Sequence, residues 1–215
     1  MQELNETWVA LKSGGIIILP LSVLAILALA VMLEKAWLYW RFARLSHDVL
    51  QLVETYGFSW ADLEKILSGL SGRHYYKRFF DVVIVNRHRP SWWTESRAAD
   101  EAQLIETSLA RRLWVLETIV TAAPLLGLVG TVLGMMHAFQ IIGGNGIVNP
   151  TGVTGGVAQA LVATVIGLLI ALISLFGFNY FSRLQSQTMD EMERLGTRLI
   201  DHIRLDQEGG ADEKA

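Results

Sequence analysis

Residues 121–140 read TAAPLLGLVGTVLGMMHAFQ, a stretch that contains no Asp, Glu, Lys or Arg. A helix of this length and apolarity can cross a lipid bilayer. Small residues recur along it three or four positions apart, so a helix aligns them in one stripe: Ala123, Gly127, Thr131, Gly134 and Ala138. Because small residues let a second backbone approach closely in lipid, the stretch predicts a membrane helix that packs against other helices.

Two other segments have the length and composition of membrane spans. The chain has 215 residues, of which 52% are hydrophobic and 18% charged. We place the first span at 15–33, the second at 113–142 and the third at 157–181. The first apolar run is too long for a signal peptide, so we expect it to be retained. A second stripe of small residues runs along the third span. Its members are Gly156, Ala160, Ala163, Thr164, Gly167, Ala171, Ser174 and Gly177.

The distribution of Lys and Arg predicts the orientation of the spans. Residues 34–112 contain twelve of the 18 basic residues and residues 182–215 contain five, whereas residues 1–14 contain one and residues 143–156 none. Basic segments tend to stay in the cytoplasm. We therefore expect a short helix on the outer side (1–14), a cytoplasmic helical loop (34–112), an outer turn (143–156) and a cytoplasmic helix with a disordered tail (182–215).

The fold predicted is an all-α integral membrane protein with three transmembrane helices, the second and third extended into the cytoplasm as long helices. The pattern shows no breaker between 92 and the second span, which predicts one uninterrupted helix over 92–142. The third span stays helical through residue 205, and residues 206–215 are expected to be disordered. Within the loop, Ser59 has the position of an N-cap for a helix to residue 67, and a second helix is predicted over 74–85.

Several classes of function are excluded by composition and motif. The chain has no cysteine, so it has neither disulfides nor thiolate metal sites. It has no run of basic and aromatic residues that would indicate nucleic acid. It also lacks a phosphate-binding loop, the spacing of zinc ligands and a supported Ser/His/Asp pattern. We therefore expect no enzyme, no metal and no cofactor, and membrane lipid as the surroundings of the spans.

Five polar side chains in or near the spans are candidates for function. Thr131 and Thr164 lie on the two stripes, and their hydroxyls either line a pore or bond back to the carbonyl four residues earlier. Gln159 and His137 lie towards the outer ends of their spans; Gln159 could bridge helices and His137 could relay protons, or both could simply pack at interfaces. Glu117, at the inner edge of the second span, is a candidate functional charge at the cytoplasmic end, or it pairs with Arg111, Arg112 or a neighbouring subunit.

Charged residues are absent from 118–142 and from 157–181. A proton path through a membrane usually requires a carboxylate within the bilayer. If this chain handles protons, that carboxylate must come from another chain.

The paired motifs resemble those of the MotA/TolQ/ExbB proton channel family. The resemblance rests on AAPLLGLVGTVLGMMHAF (122–139) and GGVAQALVATVIGL (155–168), and the three-span topology is that of the ExbB-like and TolQ-like members. It implies a homopentamer in the bacterial inner membrane whose second and third spans line a pore. It also implies an ExbD- or TolR-like single-span partner that carries a membrane aspartate. Proton motive force would then drive work on a TonB-like protein for outer-membrane uptake.

The resemblance also implies roles for individual residues. Thr131 and Thr164 match pore-facing threonines of the family, and Gln159 stands in the proton path where many members have glutamate. The amide of Gln159 can form hydrogen bonds but, unlike the glutamate of those members, cannot titrate. Ser174 stands where many members have proline, so the inner half of the third span should be straighter. The residues expected to pack the helices are Ala123, Gly127, Gly134, Ala160, Gly167 and Ala171, and Glu117 is the expected charge at the cytoplasmic end.

The sequence also allows a TolQ-like role in envelope integrity and division, or a membrane scaffold without an ion path.

Overall fold

The computed structural model describes residues 15–43, 52–53, 58–143 and 150–212. A short 3₁₀ turn, Gly15–Ile17, precedes the first helix. The helices bounded within these ranges are α1 (Ile18–Phe42), α2 (Trp60–Ser68), α3 (Tyr75–Asn86), α4 (Ser91–Ala110), α5 (Leu113–Gly143) and α6 (Pro150–Asp212). The helix predicted over 1–14 lies outside the described residues.

The all-α fold with three membrane-spanning helices is confirmed. The described ranges contain helices and no strand. Helices α1, α5 and α6 each include an apolar stretch long enough to cross a membrane. The third is the longest, with 63 residues in α6, as the sequence predicts for a span that continues beyond the bilayer.

The chain divides into two compact units. The membrane unit comprises Met1–Leu33 and Arg112–Tyr180, and the polar unit comprises Glu34–Arg111 and Phe181–Ala215. The core of the polar unit is built from large side chains on α2, α3, α4 and α6 that are fully buried: Leu63, Phe80, Val83, Ile105, Leu195 and Leu199. Burial of each such side chain contributes about 1.5–3 kcal/mol of stability. In the membrane unit, α5 and α6 contact each other through small residues, as described below.

Two predicted helices of the loop are confirmed. Helix α2 begins after Ser59, whose hydroxyl accepts a hydrogen bond from the backbone N–H of Asp62 at 3.5 Å. Helix α3 covers almost the predicted range and ends at Asn86, and Thr94 at the start of α4 donates to the Asn86 carbonyl oxygen across 2.8 Å. This bond satisfies one of the carbonyls that the end of a helix leaves unpaired.

The prediction of one uninterrupted helix over 92–142 is wrong at Arg111 and Arg112. Helix α4 ends at Ala110 and α5 begins at Leu113. Arg112 has φ 67°, the only positive φ of a non-glycine residue in the described part of the chain. A left-handed residue costs about 1–2 kcal/mol, so the break requires stabilising contacts. One of these is the Lys35 ammonium, which donates to the carbonyl oxygen of Leu109.

The limits predicted for the outer turn and for the tail are also corrected. Helix α6 begins at Pro150, inside the segment 143–156 that was predicted to be a turn. Proline is favoured at the first position of a helix because its missing N–H leaves no donor unsatisfied. At the other end, residues 206–212 are helical rather than disordered. Asp206 accepts a bond from Trp60 Nε1 at 2.9 Å, and Gln207 donates to the Arg89 carbonyl oxygen at 2.8 Å.

Candidate functional site

Helices α5 and α6 pack against each other in the membrane unit with almost no side chain between their backbones. A Cβ added at Gly167 would lie 2.5 Å from the carbonyl oxygen of Ala123 and 3.2 Å from the Cα of Gly127. A Cβ added at Gly127 would in turn lie 3.0 Å from the Cα of Thr164. Glycine is therefore required at these two positions by the closeness of the partner helix.

The same close contact continues towards the outer end. A Cβ at Gly134 would lie 2.8 Å from the Cβ of Ala160, and a Cβ at Gly156 would lie 2.8 Å from the Cβ of Ala138. Both alanines are buried, with 2% exposure each. The order of the pairs shows that α5 and α6 run antiparallel, with each stripe facing the other.

One contact residue was not on the stripe predicted from the sequence. A Cβ at Gly130 would lie only 2.6 Å from the Cβ of Ala163. Gly130 follows Gly127 by three positions, so the helical spacing alone could have identified it. Ala171, which the sequence assigns to the same kind of packing, is buried with 8% exposure.

Thr164 uses its hydroxyl to join the two helices. Its Oγ1 donates to the carbonyl oxygen of Gly127 on α5 at 2.9 Å. Double-mutant cycles on such bonds between membrane helices give about 0.6 kcal/mol on average. Thr164 therefore does not bond back to the carbonyl four residues earlier on its own helix, because its acceptor belongs to α5.

Thr131 bonds within its own helix. Its Oγ1 donates to the carbonyl oxygen of Leu128 at 2.7 Å, three residues earlier rather than four. The side chain is half-buried, at the edge of the packed stripe. A hydroxyl that donates one hydrogen bond still has lone pairs that can accept others.

The depths of the two threonines along the helix pair can be compared through Gly127. Thr164 is level with Gly127 through its hydrogen bond. Thr131 follows Gly127 by four positions on the same helix, which corresponds to about 6 Å along the axis. The two hydroxyls are thus about one helical turn apart in depth.

The other predicted polar residues are not gathered at this contact. Gln159 is half-buried on α6, and His137 is exposed on α5. Glu117 is also exposed and has no ion pair within the part of the chain that the structure describes. In the same described ranges, no group of His, Asp and Glu side chains is close enough to hold a metal ion.

The outer faces of α5 and α6 expose large apolar side chains. Examples with more than half of their surface exposed are Leu128, Val132, Val165, Leu168 and Phe176. These faces alternate with the packed stripe around each helix, so they are available to lipid or to other chains. The wall formed by α5 and α6 is therefore closely packed and uncharged where the two helices meet, and apolar on its outer faces.

A buried lysine was missed by the sequence reasoning. Lys35 follows the first span and is only 1% exposed, within the polar unit. Its spacing from Tyr39, four positions later and also buried, was the available signal, since residues four apart share one helix face. The carbonyl oxygen of Leu109 is free to accept a hydrogen bond from Lys35 because α4 ends one residue later and offers no N–H four positions ahead.

A pair of buried tyrosines in the polar unit was also not predicted. The hydroxyl of Tyr76 donates to the Glu191 carboxylate. Burial, and then the bond to Glu191, raise the pKa of Tyr76 well above its usual range. Burial likewise raises the pKa of Tyr39, whose ring stacks on Phe181 at 6.1 Å between centroids. Both hydroxyls therefore remain protonated and serve as neutral groups in the core.

Comparisons with known proteins agree with the motifs. The model of the MotA/TolQ/ExbB proton channel family matches residues 71–194, more than half of the chain. A putative biopolymer transport protein, ExbB-like 3, of Synechocystis is 35% identical over 181 residues, which cover 80% of this chain and 83% of the relative. The biopolymer transport protein ExbB of Aquifex aeolicus is 45% identical over 83 residues, covering 39% of this chain and 55% of the relative. The Tol-Pal system protein TolQ of Haemophilus influenzae is 29% identical over 201 residues, covering 84% and 85% respectively.

Proposed function

Because the chain belongs to the MotA/TolQ/ExbB proton channel family, we propose that it is an ExbB-like subunit of a proton-driven motor in the bacterial inner membrane. In this proposal the chain forms a homopentamer with its N-terminus in the periplasm. It works with an ExbD-like single-span partner, and the work is passed to a TonB-like protein for outer-membrane uptake.

The observation that carries the proposal is the uncharged wall formed by α5 and α6. Segments 118–142 and 157–181 contain no titratable carboxylate, and a membrane proton path usually needs one. The aspartate of a single-span partner supplies it. Each proton that crosses the membrane potential delivers about 2.3 kcal/mol per 100 mV, which is the energy available for motion of the partner within the pore.

Thr131 and Thr164 have different parts in this proposal. Thr131, half-buried at the edge of the stripe, has hydroxyl lone pairs that can accept a hydrogen bond from water or from the partner's protonated carboxyl group. Thr164 holds α5 and α6 in register through its bond to Gly127, and its hydroxyl is the second one on this wall, about one helical turn from that of Thr131 along the helix pair. Gln159 is placed nearer the outer end, where its amide can bond to water without titrating.

Substitution of the threonines tests the proposal. We expect Thr131→Val and Thr164→Val to leave the assembled size in detergent unchanged and to abolish proton-dependent uptake. Thr131→Ser and Thr164→Ser, which keep the hydroxyl, should retain most of the activity. Thr118→Val is the matched control, since Thr118 lies outside the packed stripe and bonds to the Trp114 carbonyl oxygen of its own helix. Wild-type uptake in both valine variants would contradict the proposal.

A TolQ-like role is the second candidate, favoured by the similarity to TolQ over most of both chains. Expressing the chain, with its own single-span partner, in cells that lack either ExbB or TolQ separates the two roles. Restored uptake supports the first role, and restored envelope integrity supports the second. A scaffold without an ion path predicts that activity survives collapse of the proton gradient and that both threonines tolerate valine.

A further inference from the structure

A groove with a volume of about 490 Å³ lies between α4 and the C-terminal part of α6 in the polar unit. Its floor is apolar: Phe79, Met192 and Ile200 lie buried beneath it, and the half-buried side chain of Met189 lines it. On the α4 side the wall is formed by the small residues Ala99 and Ala102. Small side chains on one wall leave room for a helix to approach the floor.

The rim of this groove is acidic. Its lining includes Glu95 and Glu106 from α4 and Glu193 and Asp201 from α6. Arg204, the basic residue of the lining, already lies 3.4 Å from Glu95 and 3.6 Å from Asp201. Glu106 and Glu193 make no ion pair with any described residue. The groove thus combines an apolar floor with two uncompensated carboxylates.

Another face of α6 carries a basic and an apolar side chain, which complement the acidic rim and the apolar floor of the groove. Arg198 and Leu205 are seven positions apart, so they share one helix face. Arg198 is exposed and, among the described residues, has no carboxylate partner; Leu205 is 64% exposed. Arg198 follows Glu193 by five positions, which is about 140° around the helix axis, so this face points away from the groove of its own chain.

We propose that the groove binds α6 of a second copy of this chain, with Arg198 on the acidic rim and Leu205 on the apolar floor. The inference rests on the proposed homo-oligomer and identifies the surfaces through which its polar units meet. Groove and basic face are different surfaces, so the contact is heterologous, the kind that can close into a ring.

The dimensions agree with this pairing. Glu95 and Glu106 bound the α4 side of the groove and are eleven residues apart, or about 16 Å along the helix. Arg198 and Leu205 are about 10 Å apart on theirs. Both contacts therefore fall within the length of one groove.

Cysteine cross-linking tests the contact directly, because the natural chain contains no cysteine. Two full-length versions with different tags, Ala99→Cys and Leu205→Cys, are co-expressed and treated in native membranes with a short bis-maleimide. We expect a covalent dimer that carries both tags and no dimer when either version is expressed alone. Asp81→Cys on the exposed face of α3 replaces Ala99→Cys in the control, which should give no mixed dimer.

Charge reversal gives an independent readout on the same cross-link. Glu193→Arg or Arg198→Glu in all copies should each lower the yield of the mixed dimer about two- to fivefold, the effect typical of one exposed ion pair. The two reversals together should restore it. Failure of the double reversal to recover any yield would contradict the pairing of these residues.

Four other results overturn the inference. Self-linking of Ala99→Cys alone shows a symmetric contact, and linking of Ala99→Cys to a different protein shows another occupant. If the oligomer has its normal size but no mixed dimer forms, the groove contact is refuted and the proposed motor function is not. A chain that is monomeric by size removes the proposed assembly as well, so the two failures are distinguishable.

Discussion

Gly167→Ala probes the contact between α5 and α6 with a single added methyl group. The new Cβ would lie 2.5 Å from the carbonyl oxygen of Ala123, whereas a comfortable contact between carbon and oxygen is about 3.3–3.6 Å. The obstructing atom belongs to the backbone, so no side-chain rotation can relieve the clash. The two helices must separate locally by about 1 Å, as the difference between these distances requires.

The cost of this separation follows from the neighbouring contacts. Inserting a methyl group into a well-packed contact typically costs about 1–3 kcal/mol. The Thr164 hydroxyl lies one turn away, and its 2.9 Å bond to the Gly127 carbonyl would stretch beyond the normal range for a hydroxyl donor. Its loss adds about 0.6 kcal/mol. The higher helix propensity of alanine offsets about 1 kcal/mol of this cost. We therefore expect Gly167→Ala to destabilise the membrane unit by about 0.5–2.5 kcal/mol in total.

Unfolding in mixed micelles by titration with SDS, followed by far-ultraviolet circular dichroism, measures this loss. Gly155→Ala is the matched control, because a Cβ at Gly155 would meet no atom within 4 Å. Alanine is favoured over glycine in a helix by about 1 kcal/mol, so the control should be neutral or stabilising. Equal stability of Gly167→Ala and Gly155→Ala would refute the assignment of Gly167 to a backbone contact.

Two further predictions concern the polar unit. Lys35→Met should lower the stability of the polar unit by about 1–3 kcal/mol, because the carbonyl of Leu109 is left buried without this donor. Thermal unfolding measures the loss, with Lys65→Met, at an exposed position, as the control. Equal melting temperatures of the two variants would contradict the prediction. Tyr39 and Tyr76 should resist ionisation in an absorbance titration at 295 nm, since their pKa values are raised. The contribution of the two neutral tyrosines to the stability of the folded state is complete below pH 10 and is lost as the pH rises further. Ionisation of both tyrosines in the usual range would refute this prediction.

The sequence predicts the membrane unit well because its determinants are local. Apolarity over about 20 residues and small residues at helical spacing can be read from a single segment. The spacing that placed Gly127 and Gly167 on stripes holds whatever the partner helix is. The stripes do not show which residue meets which, so the bond from Thr164 to the Gly127 carbonyl could not be foreseen.

The break between α4 and α5 could not be predicted, because its cause is distant in sequence. Arg111 and Arg112 are ordinary helix formers, and neither glycine nor proline marks the joint. Lys35, which satisfies the carbonyl of Leu109, lies 74 positions earlier in the chain. The helical residues 206–212 were missed for the same reason, since Trp60 contacts Asp206 across 146 positions.

The contact between α5 and α6 determines where movement can occur. A longitudinal shift of one residue, about 1.5 Å, would bring the Cβ of Ala163 out of the space left by Gly130 and against bulkier neighbours on α5. The cheapest deformation is therefore one that carries both helices together. Force applied to one end of α5 is therefore transmitted to α6, because the two helices move together. Motion of this helix pair relative to its surroundings occurs at the apolar outer faces, where lipid or another chain can exchange contacts at little cost.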